Sequence, residues 1–271
     1  MKTILHIAGD AIRALLHQRL LMGLMLATLA LTLFFCVTLN MARTQITGGF
    51  IDQAMTNNPA STNQLSEVDQ RQLRESLEMA SSGIQAAFYG VASFGGSIIA
   101  LFIFSTTLAS EIRKGTIRVT LSKPVSRPQY LLGKYLGGVV VMFIYTVTAS
   151  LAMVLFAESQ TVELSPAIRF APWLMFCRQL MLGSVAMVLS LFMHPLVASV
   201  VAFFASDSML GPPNPLYFIL PSYGRFNVVF QVMMGSLIEV GEVFLLSLYA
   251  LDFVVIMLLL ALWRFHHKDL V

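Results

Sequence analysis

Residues 135–157 read YLGGVVVMFIYTVTASLAMVLFA, without one charged side chain. About 20 consecutive apolar residues, rising ~1.5 Å each, cross the ~30 Å hydrocarbon core of a bilayer. Such a run is read as a membrane-spanning helix, because a helix satisfies its own backbone hydrogen bonds where there is no water. Working outward, the pattern recurs at 20–39, 88–109, 171–192 and 243–263. A break at His194-Pro195 leads into a shorter apolar run ending near 210. The expectation is an all-α integral membrane protein, a single transmembrane domain over 1–271 with six transmembrane helices.

Composition agrees. The chain has 271 residues, 57% apolar and 11% charged, with a mean hydropathy of +0.77. Soluble domains carry about 25% charged residues, so this chain cannot clothe a water-facing surface. The two cysteines, Cys36 and Cys177, both fall in apolar runs, which argues against a structural disulfide and leaves the redox compartment unread. Residues 1–19 are not read as a cleavable signal, since they are amphipathic and no small-residue cleavage site follows. On a helical wheel Lys2, His6, Gly9, Asp10, Arg13 and His17 form a narrow polar strip against a wide apolar face. That pattern predicts an N-terminal interfacial helix lying on the membrane surface.

Charge orients the spans. One side of the membrane receives Lys2, Arg13, Arg19, Arg113, Lys114, Arg118, Lys123, Arg127, Lys134, Arg264 and Lys268; the other receives Arg43, Arg71, Arg74, Arg169 and Arg225 with most of the acids. The excess of Lys and Arg marks the cytoplasmic side, so both termini are expected there. The outer loop 41–87 is too small to be an independent catalytic domain. Ser66 with Asp69 is a weak capping box, and Leu73, Leu77, Ala80 and Ile84 continue one stripe toward the second span.

The connection 110–134 has structure of its own. Pro124 stops a short element over 116–121, Ser126 can cap the next helix, and Pro128 fits its first turn. A span-to-span link needs only a few residues, so a compact basic knuckle implies something that binds it. The run Glu111-x-x-x-Gly115-Thr116-Ile117 … Leu121-Ser122-Lys123-Pro124-Val125-Ser126-Arg127 … Leu132-Gly133-Lys134 resembles the first cytoplasmic loop of ABC-2-type transporter permeases. Two stretches agree less specifically: Leu216 to Pro221 with Phe226-Asn227, and the ending Trp263 to Leu270. The resemblance implies that Glu111, Arg113, Lys114, Gly115, Thr116, Ile117, Arg118, Leu121, Pro124 and Arg127 couple the chain to a separate ATPase. It further implies an elbow helix before the first span and re-entrant helices over 211–241, where Pro212, Pro213, Pro215 and Pro221 break the chain.

The partners so implied are two copies of an ABC ATPase and a second permease subunit forming a homodimer, in the inner (cytoplasmic) membrane. There is room for an accessory protein at the outer, periplasmic face, and no nucleic acid is expected. The family function is ATP-driven transport, read here as export. ATP and Mg belong to the ATPase. This chain has no Gly-x-x-x-x-Gly-Lys-Ser/Thr loop, no His-Glu-x-x-His and no Gly-x-Ser-x-Gly, so neither catalytic residues nor a cofactor are expected on it. The sixteen Met residues suit apolar packing; the Met-x-x-Met at Met22 and Met25 lies inside an apolar run, and no Cys-x-x-Cys points to a metal.

Two charges lie inside spans. Counted from the outer ends, Arg178 and Asp252 fall at matching depths, and intramembrane charges are costly and usually paired. The expectation is an Arg178–Asp252 ion pair, with contact to a polar substrate as the alternative reading of the same residues. An ion-coupled secondary transporter and a non-transporting membrane scaffold remain alternatives for the chain.

Overall fold

The computed structural model describes residues 2–16, single helical positions between 23 and 44, and residues 67–114, 126–159, 164–205, 221–234 and 236–267. The described elements are α1 (Lys2–Leu16), α2 (Glu67–Lys114), α3 (Arg127–Ser159), a 3-10 turn (Pro166–Arg169), α4 (Ala171–Ser190), α5 (Pro195–Phe204), a second 3-10 turn (Tyr223–Phe226), α6 (Val229–Met233) and α7 (Val240–His266). No strand occurs among the described residues.

Four helices are long and apolar enough to cross a membrane: Ser81–Ile112 within α2, Arg127–Leu155 within α3, Ala171–Ser190 and Val240–His266. The expected first span falls largely outside the described residues, where Gly23, Leu26, Ala30, Phe34, Val37, Met41 and Thr44 are helical and exposed. The expected fifth span is a helix of only 10 residues, about 15 Å at ~1.5 Å per residue, or half a hydrocarbon core. Its expected remainder, 206–210, also lies outside the described residues.

Local chemistry sets the helix ends. Ser126 and Gln129 form a reciprocal box: the Gln129 amide donates to Ser126 Oγ and the Ser126 amide to Gln129 Oε1, each at 3.4 Å, with Pro128 in the first turn of α3. At the start of α5, His194 Nδ1 accepts from the Leu196 amide at 3.4 Å and Pro195 occupies the first helical position. On its N-terminal side α2 continues back to Glu67, so the stripe through Leu73 and Leu77 belongs to one long helix with the second span.

The bundle is built around α4, which packs on α2 and α7 and, less extensively, on α5 and α3. Lipid removes the hydrophobic drive between apolar helices, so close contact depends on small residues and shape. The ring of Phe104, 1% exposed, shows this. A Cβ at Gly183 of α4 would lie 2.1 Å from its Cδ2, and one at Gly138 of α3 2.6 Å from its Cε1. The two glycines therefore form the slot that joins α2, α3 and α4. Similarly, a Cβ at Gly137 would come 2.7 Å from the Ala11 Cβ, and this gap seats the buried face of α1, Ile7, Ala8 and Ala11, on α3.

Candidate functional site

The two roots of the basic connection meet at one end of the bundle. Lys134 Nζ lies 2.5 Å from Glu111 Oε1, joining the last turns of α2 to the second turn of α3. Lys134 is nearly buried at 7% exposure and Glu111 keeps 25%, so water screens the pair only partly. The same ammonium stands 5.6 Å from the Tyr130 ring centroid, and Tyr130 stacks on Phe265 of α7 at 6.4 Å.

Arg127 extends the joint to the end of α7. Its Nη1 donates to the carbonyls of Phe265 at 3.1 Å and His266 at 2.9 Å. The last carbonyls of a helix have no intrahelical partner and carry the negative end of its dipole, so a guanidinium there both caps and neutralises. Arg264 lies over the Phe192 ring at 4.9 Å, which ties the same end of α7 to the turn between α4 and α5. Two residues expected to serve coupling, Glu111 and Arg127, are thus brought together as the frame of the connection. Arg113 and Lys114 stand in the last turn of α2. Gly115, Thr116, Ile117, Arg118, Leu121 and Pro124 lie outside the described residues.

The intramembrane charges do not meet. Arg178 Nη1 donates to Ser93 Oγ of α2 at 3.1 Å, while its Nε is buried without a hydrogen-bond partner. Asp252 is exposed on α7, and the ion pairs among the described residues are His6–Asp10 and Glu111–Lys134. The expected Arg178–Asp252 pair is corrected accordingly. Matching depth fixed height along the bundle, but α7 turns Ala250 and Phe253 inward and Asp252 toward the periphery.

Sequence reading missed the surroundings of Arg178. Tyr223, in the second 3-10 turn, is buried with its hydroxyl unpartnered. Burial and then Tyr249 push its phenol above the ordinary tyrosine range, and the Arg178 guanidinium opposes them. Beside it Gln179 is fully buried; its Oε1 accepts from Thr146 Oγ1 at 3.2 Å and its Nε2 has no partner. Among the described residues no group of His, Cys, Asp and Glu could hold a metal ion.

At the opposite end of the bundle two cavities open along α3 and α4, the first of them also walled by Phe88, Tyr89 and Ala92 of α2. One, of about 430 Å³, is lined by Tyr89, Met153 and Met175 among others; the next, of about 470 Å³, by Phe143, Leu151, Trp173 and Phe176. They share Ser150, Val154, Arg169 and Pro172.

Compared with known proteins, residues 18–270 match the family described as ABC-2 family transporter protein. No curated protein matches the chain. The matched stretch spans all four long apolar helices and the connection whose roots are joined.

Proposed function

We infer that this chain, which belongs to the ABC-2 family of transporter proteins, is the permease subunit that an exporting ABC transporter sets in its membrane. That it is a multi-pass membrane component of transport follows from the family and from its apolar helices. The finer reading is that residues 115–125 dock on a separate ATPase, present in two copies, which binds ATP and Mg and supplies the energy. Both termini and the docking segment then face the cytoplasm, in keeping with the distribution of Lys and Arg.

The observation that carries this reading is the joint beneath the connection. A loop that only linked two spans would need no ion pair at its roots and no guanidinium holding a third helix. Glu111–Lys134 and Arg127 on the end of α7 would carry a push on the loop into α2, α3 and α7 together. Asp252 supports a second permease subunit. A carboxylate midway along an apolar helix is costly against lipid, and the path between two copies would give it water or protein. An ion-coupled carrier has less support, because it has no use for a basic connection over 111–134 rooted in an ion pair.

Copurification tests the reading. Tagged chain extracted gently from its own host is expected to bring down a polypeptide bearing a Gly-x-x-x-x-Gly-Lys-Ser/Thr loop, with ATP hydrolysis in the eluate. Glu111→Arg together with Gly115→Pro should release that polypeptide while membrane insertion persists. Transport-active material free of any ATPase would overturn it.

A further inference from the structure

We propose that the groove between α3 and α4 is a binding site for one outer-leaflet lipid with an anionic head group. The inference rests on the orientation proposed above, in which the start of α4 faces outward. Its evidence is the two adjoining cavities. They meet along Ser150, Val154, Arg169 and Pro172, so they form one trough rather than two isolated hollows. Along α3 its lining runs from Phe143 to Val154, roughly 16 Å at ~1.5 Å per residue. That is about half of a ~30 Å hydrocarbon core, the depth of one leaflet.

The walls suit a hydrocarbon tail. Phe143 and Phe176 meet edge to face at 5.7 Å, and Trp173 lies 5.9 Å from Phe176. Trp173 is held in place by its indole Nε1–H, which donates to Ser247 Oγ of α7 at 2.8 Å. Each cavity falls within the range of ~300–1,000 Å³ typical of small-molecule sites.

The mouth suits an anion. Arg169 closes the 3-10 turn that leads into α4, lines both cavities and is exposed. Among the described residues it forms no ion pair. A guanidinium presents a planar fork of donors that fits a phosphate in a bidentate manner. A cation at the outer edge of a leaflet-deep apolar trough therefore matches a phospholipid of net negative charge. A zwitterionic lipid offers the same phosphate but sets a choline cation beside Arg169, and a free phosphate leaves the trough unfilled.

Native mass spectrometry of the full chain in detergent tests this without any ATPase, so the result stands apart from the coupling reading. The probes are phosphatidylglycerol, phosphatidylcholine of the same tails, and inorganic phosphate. Phosphatidylglycerol should be retained at about fivefold lower concentration than phosphatidylcholine, the factor expected of one arginine at an anionic head group. Inorganic phosphate should not be retained. Arg169→Gln should bring the two lipids to parity. Ser150→Trp, which fills the shared wall, should weaken both. If Ser150→Trp fails to fold, Arg169→Gln on the exposed rim decides alone. Equal retention of the two lipids by the wild-type chain, or a preference unchanged by Arg169→Gln, overturns the proposal. So does undiminished lipid binding in a folded Ser150→Trp protein.

Discussion

At the scale of the residue, the Lys134–Glu111 contact is the one ion pair among the described residues that is mostly buried. Removing one member of such a pair takes a partner from the other at a partly dry site, which costs more than replacing both by neutral groups. Lys134→Met, which keeps the stem of the side chain, is expected to destabilise the detergent-solubilised protein by about 1–3 kcal/mol, discounted because Glu111 is partly wet. Adding Glu111→Gln should recover part of that loss. Thermal unfolding of the two single variants and the double variant measures the coupling, and strictly additive losses would show that the pair holds nothing. Arg178 and Asp252 teach the complementary lesson. Counting residues from a span end gives height to within a few Å, but the facing direction of a side chain depends on which stripe of its helix is packed. In α7 that stripe is Val243, Ala250, Phe253, Ala261 and Phe265, and Asp252 lies off it.

At the scale of the element, Arg127 makes α3 and α7 move together at one end. Its two hydrogen bonds stand in for the helical partners that the Phe265 and His266 carbonyls lack. Arg127→Gln should loosen the last turn of α7, seen as faster amide hydrogen exchange over 262–267, with little change in the turn of α4 that holds Gly183. Unchanged exchange there would mean that the stacking of Tyr130 on Phe265 suffices. How far elements were legible in the sequence follows the range of the signal. The Ser126 cap and Pro128 are local chemistry and were legible, as was the outward continuation of α2 through Leu73 and Leu77. The shortness of α5 was legible only in part: a shorter span was expected to about 210, although Ser206-Asp207-Ser208 already interrupts the apolar run just past Phe204. The slot for Phe104 was also hidden, since Gly138 and Gly183 become neighbours only through tertiary packing. Arg127 opens α3 at the edge of the basic connection, but nothing local says which helix end it reaches.

At the scale of the whole molecule, the class was legible because lipid imposes the strongest constraint on composition. Apolar runs are read without knowing any contact, and the four long helices and the family match over 18–270 agree with a multi-pass membrane protein. What a bundle does with energy from outside depends on where force enters. On the proposed reading that entry is residues 115–125, and the joint of α2, α3 and α7 would pass the force to α4 in the middle of the bundle. The central claim is therefore a contact between this segment and an ATPase, and photo-crosslinking tests it most directly. A photoreactive phenylalanine analogue in place of Leu121, in cells expressing the intact system, should form an adduct with a polypeptide carrying a phosphate-binding Gly-x-x-x-x-Gly-Lys-Ser/Thr loop. The same probe in place of Leu251, on the exposed face of α7, should not. An ATPase that copurifies yet never crosslinks from 117, 121 or 124, or labelling of a cysteine at Ser122 from outside the cell, would contradict the account.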